Sequence, residues 1–304
     1  MPEVKDVRVD SYLTGFARDY NFNADESFIA DVIAPIKPVA SSSYKYKIYG
    51  TEVLDNEIDD IKSAKSGANE VGFDVTEGSG TILTRALKTF VDDETISEAP
   101  DPVKPMEDAV SFVTRRLKLL QEMRLVTAMA ATSYGATPSN DWDNSSGTPI
   151  TDISTGKLSL KAACGQKGTH LCIGDHVAEE LSVAAGVLGS IKYQSFYDIL
   201  NAGGEEFAKN PKWGVRPTIA SALKDTADPG ATASLSRVIG DDAYLVRVAS
   251  SERDCPWAIQ PEASGFVVTR WRDEDRGGWW VKVQHKRTIK EVTATAIYKF
   301  TDVT

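Results

Sequence analysis

The sequence predicts a mixed α+β protein built around one long helix. Three observations carry this. Residues 102–131 place apolar side chains at helical spacing over many turns. Runs that alternate with period two lie before that stretch, at 44–49 and 80–90, and after it, from 265 to 300. The connection 51–72 is polar, acidic and too long for an ordinary turn.

The helix carries Met106, Val110, Val113, Leu117 and Leu120, spaced four, three, four and three. Leu119, Met123, Val126 and Ala130 widen the stripe in the later turns. Pro105 falls in the first turn, where its missing N–H costs nothing. Glu107 and Asp108 follow at the end where the macrodipole favours negative charge, and Arg115, Arg116, Lys118 and Arg124 lie further along. Tyr134-Gly135 and Pro138 close the helix. At ~1.5 Å per residue it is roughly 40 Å long.

Before the helix, residues 1–38 read as an arm, with Phe16, Tyr20 and Phe22 scattered among polar residues. Ser27 to Pro35 is a short apolar segment that needs a surface to lie against. Tyr44-Lys45-Tyr46-Lys47-Ile48-Tyr49 alternates as a strand, and Gly80 to Phe90 is the second strand-like run. Between them Val53, Leu54, Ile58, Ile61 and Val71 are the few larger apolar residues. Such a stretch either lacks structure or projects as a hairpin supported by another molecule, since a lone ribbon is marginal in water.

After the helix, Thr137 to Thr151 reads as a turn-rich loop and Asp152 to Ala163 as a helix. His170 to Ile173 is a strand, Asp175 to Val187 a helix with Asp175 as N-cap, and Phe196 to Leu200 a helical turn. Val215 to Ile219 can be a strand only at a sheet edge, because Pro217 lacks a ladder donor. Gly203-Gly204, Pro211 and Pro229-Gly230 mark loops, and Ala243 to Val248 is a strand. The chain ends β-rich: Gly265 to Trp271, a turn at Asp273 to Gly278, Trp279 to His285, and a last alternating run from Glu291 to Phe300.

The balance of the chain limits its functions. Of 304 residues, 41% are hydrophobic and 26% charged, so it can bury a sizeable core. A net charge of −10 argues against a nucleic-acid reader. The start at Met1-Pro2-Glu3-Val4-Lys5-Asp6 lacks the apolar region of a signal peptide, and no run approaches the roughly 18 apolar residues of a membrane span. Three cysteines in so long a chain do not make a disulfide framework, which points to a reducing cytoplasm.

Chemical motifs are sparse. His170 and His176 flank Cys172 with Cys164 nearby, but none of the usual zinc spacings is present. Asp55, Glu57, Asp59 and Asp60 suggest calcium, yet the sixth and twelfth positions of such a loop hold Asp60 and Ser66 instead of glycine and glutamate. Glu77-Gly78-Ser79-Gly80 is a turn without the Lys-Ser or Lys-Thr of a phosphate cradle. No nucleophile elbow occurs, and no carboxylate stands out as an acid or base. Asn144-Ser145-Ser146 matches a glycosylation acceptor only formally. Trp271, Trp279 and Trp280 fit cross-strand packing better than a ligand platform. No cofactor, metal or catalytic residue is expected.

Phe28-Ile29-Ala30-Asp31-Val32-Ile33-Ala34-Pro35-Ile36-Lys37-Pro38-Val39 runs from an apolar segment through proline and Pro-Val to the Tyr-rich strand at 44–49. Phe90-Val91-Asp92-Asp93-Glu94 precedes the long helix, and Ile239-Gly240-Asp241-Asp242-Ala243-Tyr244-Leu245-Val246 comes later. In content and order these resemble the major capsid protein family of tailed bacteriophages, the Hong Kong 97-type shell fold shared with encapsulins.

That resemblance implies an amino-terminal arm at 1–38 lying along a neighbouring subunit and an extended hairpin loop at 39–96 overlapping the next one. It implies a peripheral domain from 97–164 and 251–304, with 102–131 as its spine helix, and an axial domain at 165–250 around the five- and six-fold axes. The final strands would return to the peripheral sheet. Phe28, Ile29, Tyr44, Tyr46, Ile48, Leu54, Ile58 and Ile61 are then the expected intersubunit contacts. The implied function is a coat protein, not an enzyme. It would be synthesised in a host bacterial cytoplasm and assemble as pentamers and hexamers into a virion shell around double-stranded DNA. Scaffolding, portal and decoration proteins are the implied partners, DNA is held by enclosure, and no membrane is involved. Some family members carry an amino-terminal scaffolding segment, which this chain either lacks or has lost on maturation. Some cross-link a lysine to an asparagine; among Lys62, Lys65, Asn56 and Asn69 nothing selects a pair. The alternatives are an encapsulin-like protein compartment and, from another class, a carboxylate-dependent enzyme.

Overall fold

A computed structural model describes residues 8–19, 28–49, 75–100, 103–183, 214–228 and 230–304. The chain opens with strand Arg8–Val9 (β1), helix Ser11–Asp19 (α1) and a short helix Ala30–Ile33 (α2). Strands Ile36–Pro38 (β2), Ser43–Tyr49 (β3), Val75–Thr81 (β4) and Thr84–Asp92 (β5) follow, then helices Asp93–Glu98 (α3) and Pro105–Ala130 (α4). Next come Gly135–Ala136 (β6), helix Pro149–Cys164 (α5), His170–Gly174 (β7) and helix Asp175–Val183 (α6). Arg216–Ala220 (β8), Leu223–Asp225 (β9), Leu235–Arg237 (β10) and Ala243–Val246 (β11) are short strands. The chain closes with Ala258–Asp273 (β12), Gly278–Arg287 (β13), Lys290–Glu291 (β14) and Ile297–Phe300 (β15).

One six-stranded sheet runs β1-β12-β13-β5, with β2 and β14 also on β12. The turn that joins β12 to β13 places Gly277 at φ +63, a left-handed position that suits glycine. Helices α1 and α4 cover one face. Leu13 and Ala17 of α1 and Val110, Val113 and Leu117 of α4 pack against Val91, Phe266, Val268, Val281 and Val283. Helix α4 has 26 residues, close to the predicted span, and Pro105 sits in its first turn.

The buried stripe of α4 departs from the sequence reading half-way along. Val110, Val113 and Leu117 are buried as the spacing predicts, but the line continues through Gln121, Leu125 and Met129, with Glu122 beside it. Leu120 is only half-buried and Ala130 is exposed, whereas Val126 is buried and Leu119 and Met123 pack beside it as the spacing predicts. The cause is a change of partner. The first half of α4 lies on the six-stranded sheet; the second half packs into a larger core with Ile29, Ile33, Leu160, Leu171, Ile173, Trp257 and Ile297.

That larger core belongs to a second, five-stranded sheet, in the order β6-β15-β11-β7-β8. Among the described residues strand β8 is the edge, consistent with Pro217, and it runs parallel to β7. Strand β15 corrects an expectation. It lies between β6 and β11 in this sheet instead of returning to the sheet of β12 and β13, as expected of the peripheral strands, and the strand run from 291 breaks into Glu291, in β14, and its last four residues. Ile297, Tyr298 and Phe300 are all buried, so the strand needs cover on both faces, which α5 helps to supply.

The run 80–90 also divides. Strand β4 pairs with β3 in a separate two-stranded sheet, whereas β5 joins β13, so 39–96 is not one hairpin. Ile82 pins the crossing by packing with Tyr44, Tyr46, Ile259 and Val292. The described parts of the arm lie on their own chain: β1 pairs with β12, and α1 and α2 contact α4. Their apolar residues Leu13, Ala17, Ile29 and Ile33 find partners there. The connection 51–72, the helical turn at 196–200 and the contacts expected at Leu54, Ile58 and Ile61 lie outside the described residues.

Candidate assembly surfaces

The arm re-enters the protein at a buried polar knot. Glu122 of α4 is fully buried, and its carboxylate accepts the N–H of Ile29 at 3.2 Å and of Ala30 at 2.9 Å. It thereby satisfies donors at the start of α2, which has no side-chain cap of its own. Gln260 of β12 donates to the carbonyls of Ala30 (2.7 Å) and Ala34 (3.0 Å). Gln121 donates to Gln260 and to Asp31, and Arg287 bridges Asp31 and Glu262. Burial pushes the Glu122 carboxyl up to about 7, opposed by the two N–H bonds and raised further by Asp31. The Cys172 thiol is raised by its own burial, with Glu122 adding to the rise.

The root of the β3–β4 ribbon is the second feature. Tyr44 and Tyr46 are buried while Ser43, Lys45 and Lys47 are exposed, the predicted alternation. Tyr44 lies across Gly80, where an added Cβ would meet its hydroxyl at 2.5 Å, and Tyr46 covers Gly78 in the same way. The two glycines therefore let the rings lie flat on the opposite strand. Glu252 braces the ribbon from below, accepting the Lys47 N–H at 2.9 Å and pairing with Lys37.

Among the described residues, three surfaces are open. On the six-stranded sheet, Trp271 stands across from Trp280, ring centres 6.4 Å apart, and Trp280 across from Phe90. A groove of about 250 Å³ between α4 and the β9–β10 ribbon is lined by Phe28, Phe112, Leu119, Leu223 and Leu235. Phe112 and Leu235 are two-thirds exposed, at 66% and 67%. Tyr12 and Val9 are exposed along α1 and β1.

These placements sort the expected contacts. Ile29, Tyr44 and Tyr46 are buried within their own chain, and Ile48 is half-buried beside the tyrosines. Phe28 borders the α4 groove. The metal candidates separate: His170 bonds Thr169, His176 faces Asp241 at 2.8 Å, and Cys172 is in the core. Among the described residues no group of three or more His, Cys, Asp or Glu could hold a metal ion. Sequence reasoning missed Gln121, Glu122 and Gln260. The only signal was a Gln-Glu pair where the apolar stripe should have continued.

No family model matches the sequence, and no curated protein matches it. Solved structures do. A phage-related protein from Bordetella bronchiseptica RB50 superposes with a TM-score of 0.71 at 20% identity, over 97% of each chain. The capsid of cyanophage P-SCSP1u aligns with a TM-score of 0.54 at 9% identity, covering 93% of this chain and 90% of that one. This chain has the phage capsid fold. A virus-like particle from Pyrococcus furiosus shares it, with a TM-score of 0.58 at 10% identity over 95% of this chain and 96% of that one. Within the capsid fold α4 is the spine helix, and β3 and β4 are the described part of the extended loop.

Proposed function

We propose that this chain is the major coat subunit of a tailed phage, assembling with copies of itself as pentamers and hexamers into a closed icosahedral shell around double-stranded DNA. The observation that carries the reading is agreement of the fold, over 93% of this chain, with phage capsid structures, including the arm, ribbon and spine that a compact enzyme domain would not need. The acidic chain holds DNA by enclosure, since a container needs no phosphate-neutralising surface. On this reading the subunit catalyses no reaction. It is made in the host cytoplasm, and scaffolding, portal and decoration proteins are its partners in the virion.

An encapsulin-like compartment is the second reading, favoured by the likeness to the Pyrococcus furiosus particle. Nuclease digestion of particles purified from infected cells separates the two. Protected duplex DNA of genome length supports the phage coat; a protein cargo without DNA supports the compartment.

A further inference from the structure

The face of the six-stranded sheet turned away from α1 and α4 carries half-exposed aromatic side chains and a row of lysines. Val268, Val281 and Val283 point to the core, so their neighbours along β12 and β13 point outward. Beside the aromatic row of Trp271, Trp280 and Phe90 runs a second row. Thr269, Lys282 and Lys88 stand directly across from one another on three adjacent strands. Lys286 stands on the same face, across from Thr84. Lys88 lies 4.0 Å above the ring of Trp280, and Arg276 reaches the same ring at 5.5 Å.

Like charges directly across two strands destabilise a sheet. Among the described residues Lys88, Lys282 and Lys286 have no carboxylate partner. Asp273, which shares this face, is taken up by the indole N–H of Trp280 at 2.9 Å and by Arg276, and Glu274 by Arg272. The chain as a whole carries −10. A lysine row without carboxylate partners, on so acidic a molecule, complements the molecule's own surplus of carboxylates. A cavity of about 560 Å³ opens there, where Lys88, Trp271, Arg276 and Trp280 share the lining with the turn carboxylates Asp273, Glu274 and Asp275.

We propose that this face is a contact between copies of the chain, in which the Lys88–Lys282 row receives carboxylates of a second copy and the aromatic row is covered as the copies dock. The inference rests on the coat-subunit reading and says which face and which chemistry join the subunits. It makes the lysines unfavourable in the free subunit and favourable in the assembly, a trade that a merely structural residue does not show.

Lys88→Glu sets a carboxylate across from Lys282, and Lys88→Gln removes the charge alone. The experiment measures thermal unfolding of the dissociated subunit and, by light scattering, the protein concentration needed for assembly over a range of NaCl. The expected result is opposite signs for Lys88→Glu: a melting temperature at or above wild type, and an assembly concentration raised roughly tenfold or more. Lys88→Gln should fall between, with a shallower salt dependence than wild type. Variants that assemble at the wild-type concentration with the wild-type salt dependence overturn the contact. So does a short fluorescent duplex DNA whose binding is lost in both variants while assembly is unchanged, which would assign the face to nucleic acid. Wild-type subunits that never assemble, with a scaffolding protein included, overturn the coat-subunit reading along with it.

Discussion

Replacing Glu122 by Gln removes one titration and leaves the side chain's size in place. The carboxyl is fully buried, and burial lifts it from 4.5 to about 7. The folded protein therefore binds this proton more tightly than the unfolded chain does. Stability from this group is fully present below about pH 4.5, declines as pH rises, and is gone above about pH 7. At roughly 1.4 kcal/mol per unit, the decline is about 3 kcal/mol. In Glu122→Gln that decline is absent. The lost second acceptor shifts the variant's curve by a constant and leaves its slope alone, and every other titrating group is shared. Urea unfolding of the dissociated subunit at pH values on either side of this window gives the two curves. The wild-type stability minus the variant's should fall by nearly 3 kcal/mol across it. Parallel curves would refute the reasoning, because they would mean that Glu122 titrates like an exposed carboxylate and does not clamp Ile29 and Ala30 from inside the core.

The remaining predictions concern other parts of the chain. Leu117→Ala, in the core between α4 and the six-stranded sheet, should cost about 2–5 kcal/mol in the same assay. His285 is buried beside Phe266, and burial, with Arg287, Arg124 and Arg85, lowers its pKa to about 4. Its neutral ring contributes stability above about pH 6.5 that is lost as pH falls through about 4, so His285→Phe should flatten that acid limb by about 3 kcal/mol. Deleting 51–72 should leave a cooperatively unfolding subunit, judged by circular dichroism, that no longer forms shells; intact shells from the deletion would sink the extended-loop assignment.

How much was legible in the sequence follows from the range of each interaction. The spine helix, the Tyr44–Tyr46 alternation and the edge position of Pro217 depend on residues a few places apart, and local spacing disclosed them. The placement of β15 does not. Its apolar run fits either sheet, and only the cover supplied by α5 and the pairing with β11 decide between them. The break between β4 and β5 turns on Ile82 meeting Ile259 and Val292, far along the chain. Glu122 was invisible for a related reason. A charged residue next to an apolar stripe reads as solvated until the N–H groups of Ile29 and Ala30, more than ninety residues away, arrive to meet it. The lysine row is legible only once register puts Lys88 across from Lys282. Ile29, Tyr44 and Tyr46 were expected to meet a neighbour because the resemblance lays the arm and loop on one, whereas the residues that bury them, distant in sequence, are in the same chain.

Electron microscopy of the purified protein after size-exclusion chromatography, with and without a candidate scaffolding protein, tests the central claim most directly. Closed shells, or rings of five and six subunits, are the predicted result. A stable monomer under every condition, scaffold included, would contradict the coat-subunit account and return attention to the carboxylates as catalytic groups.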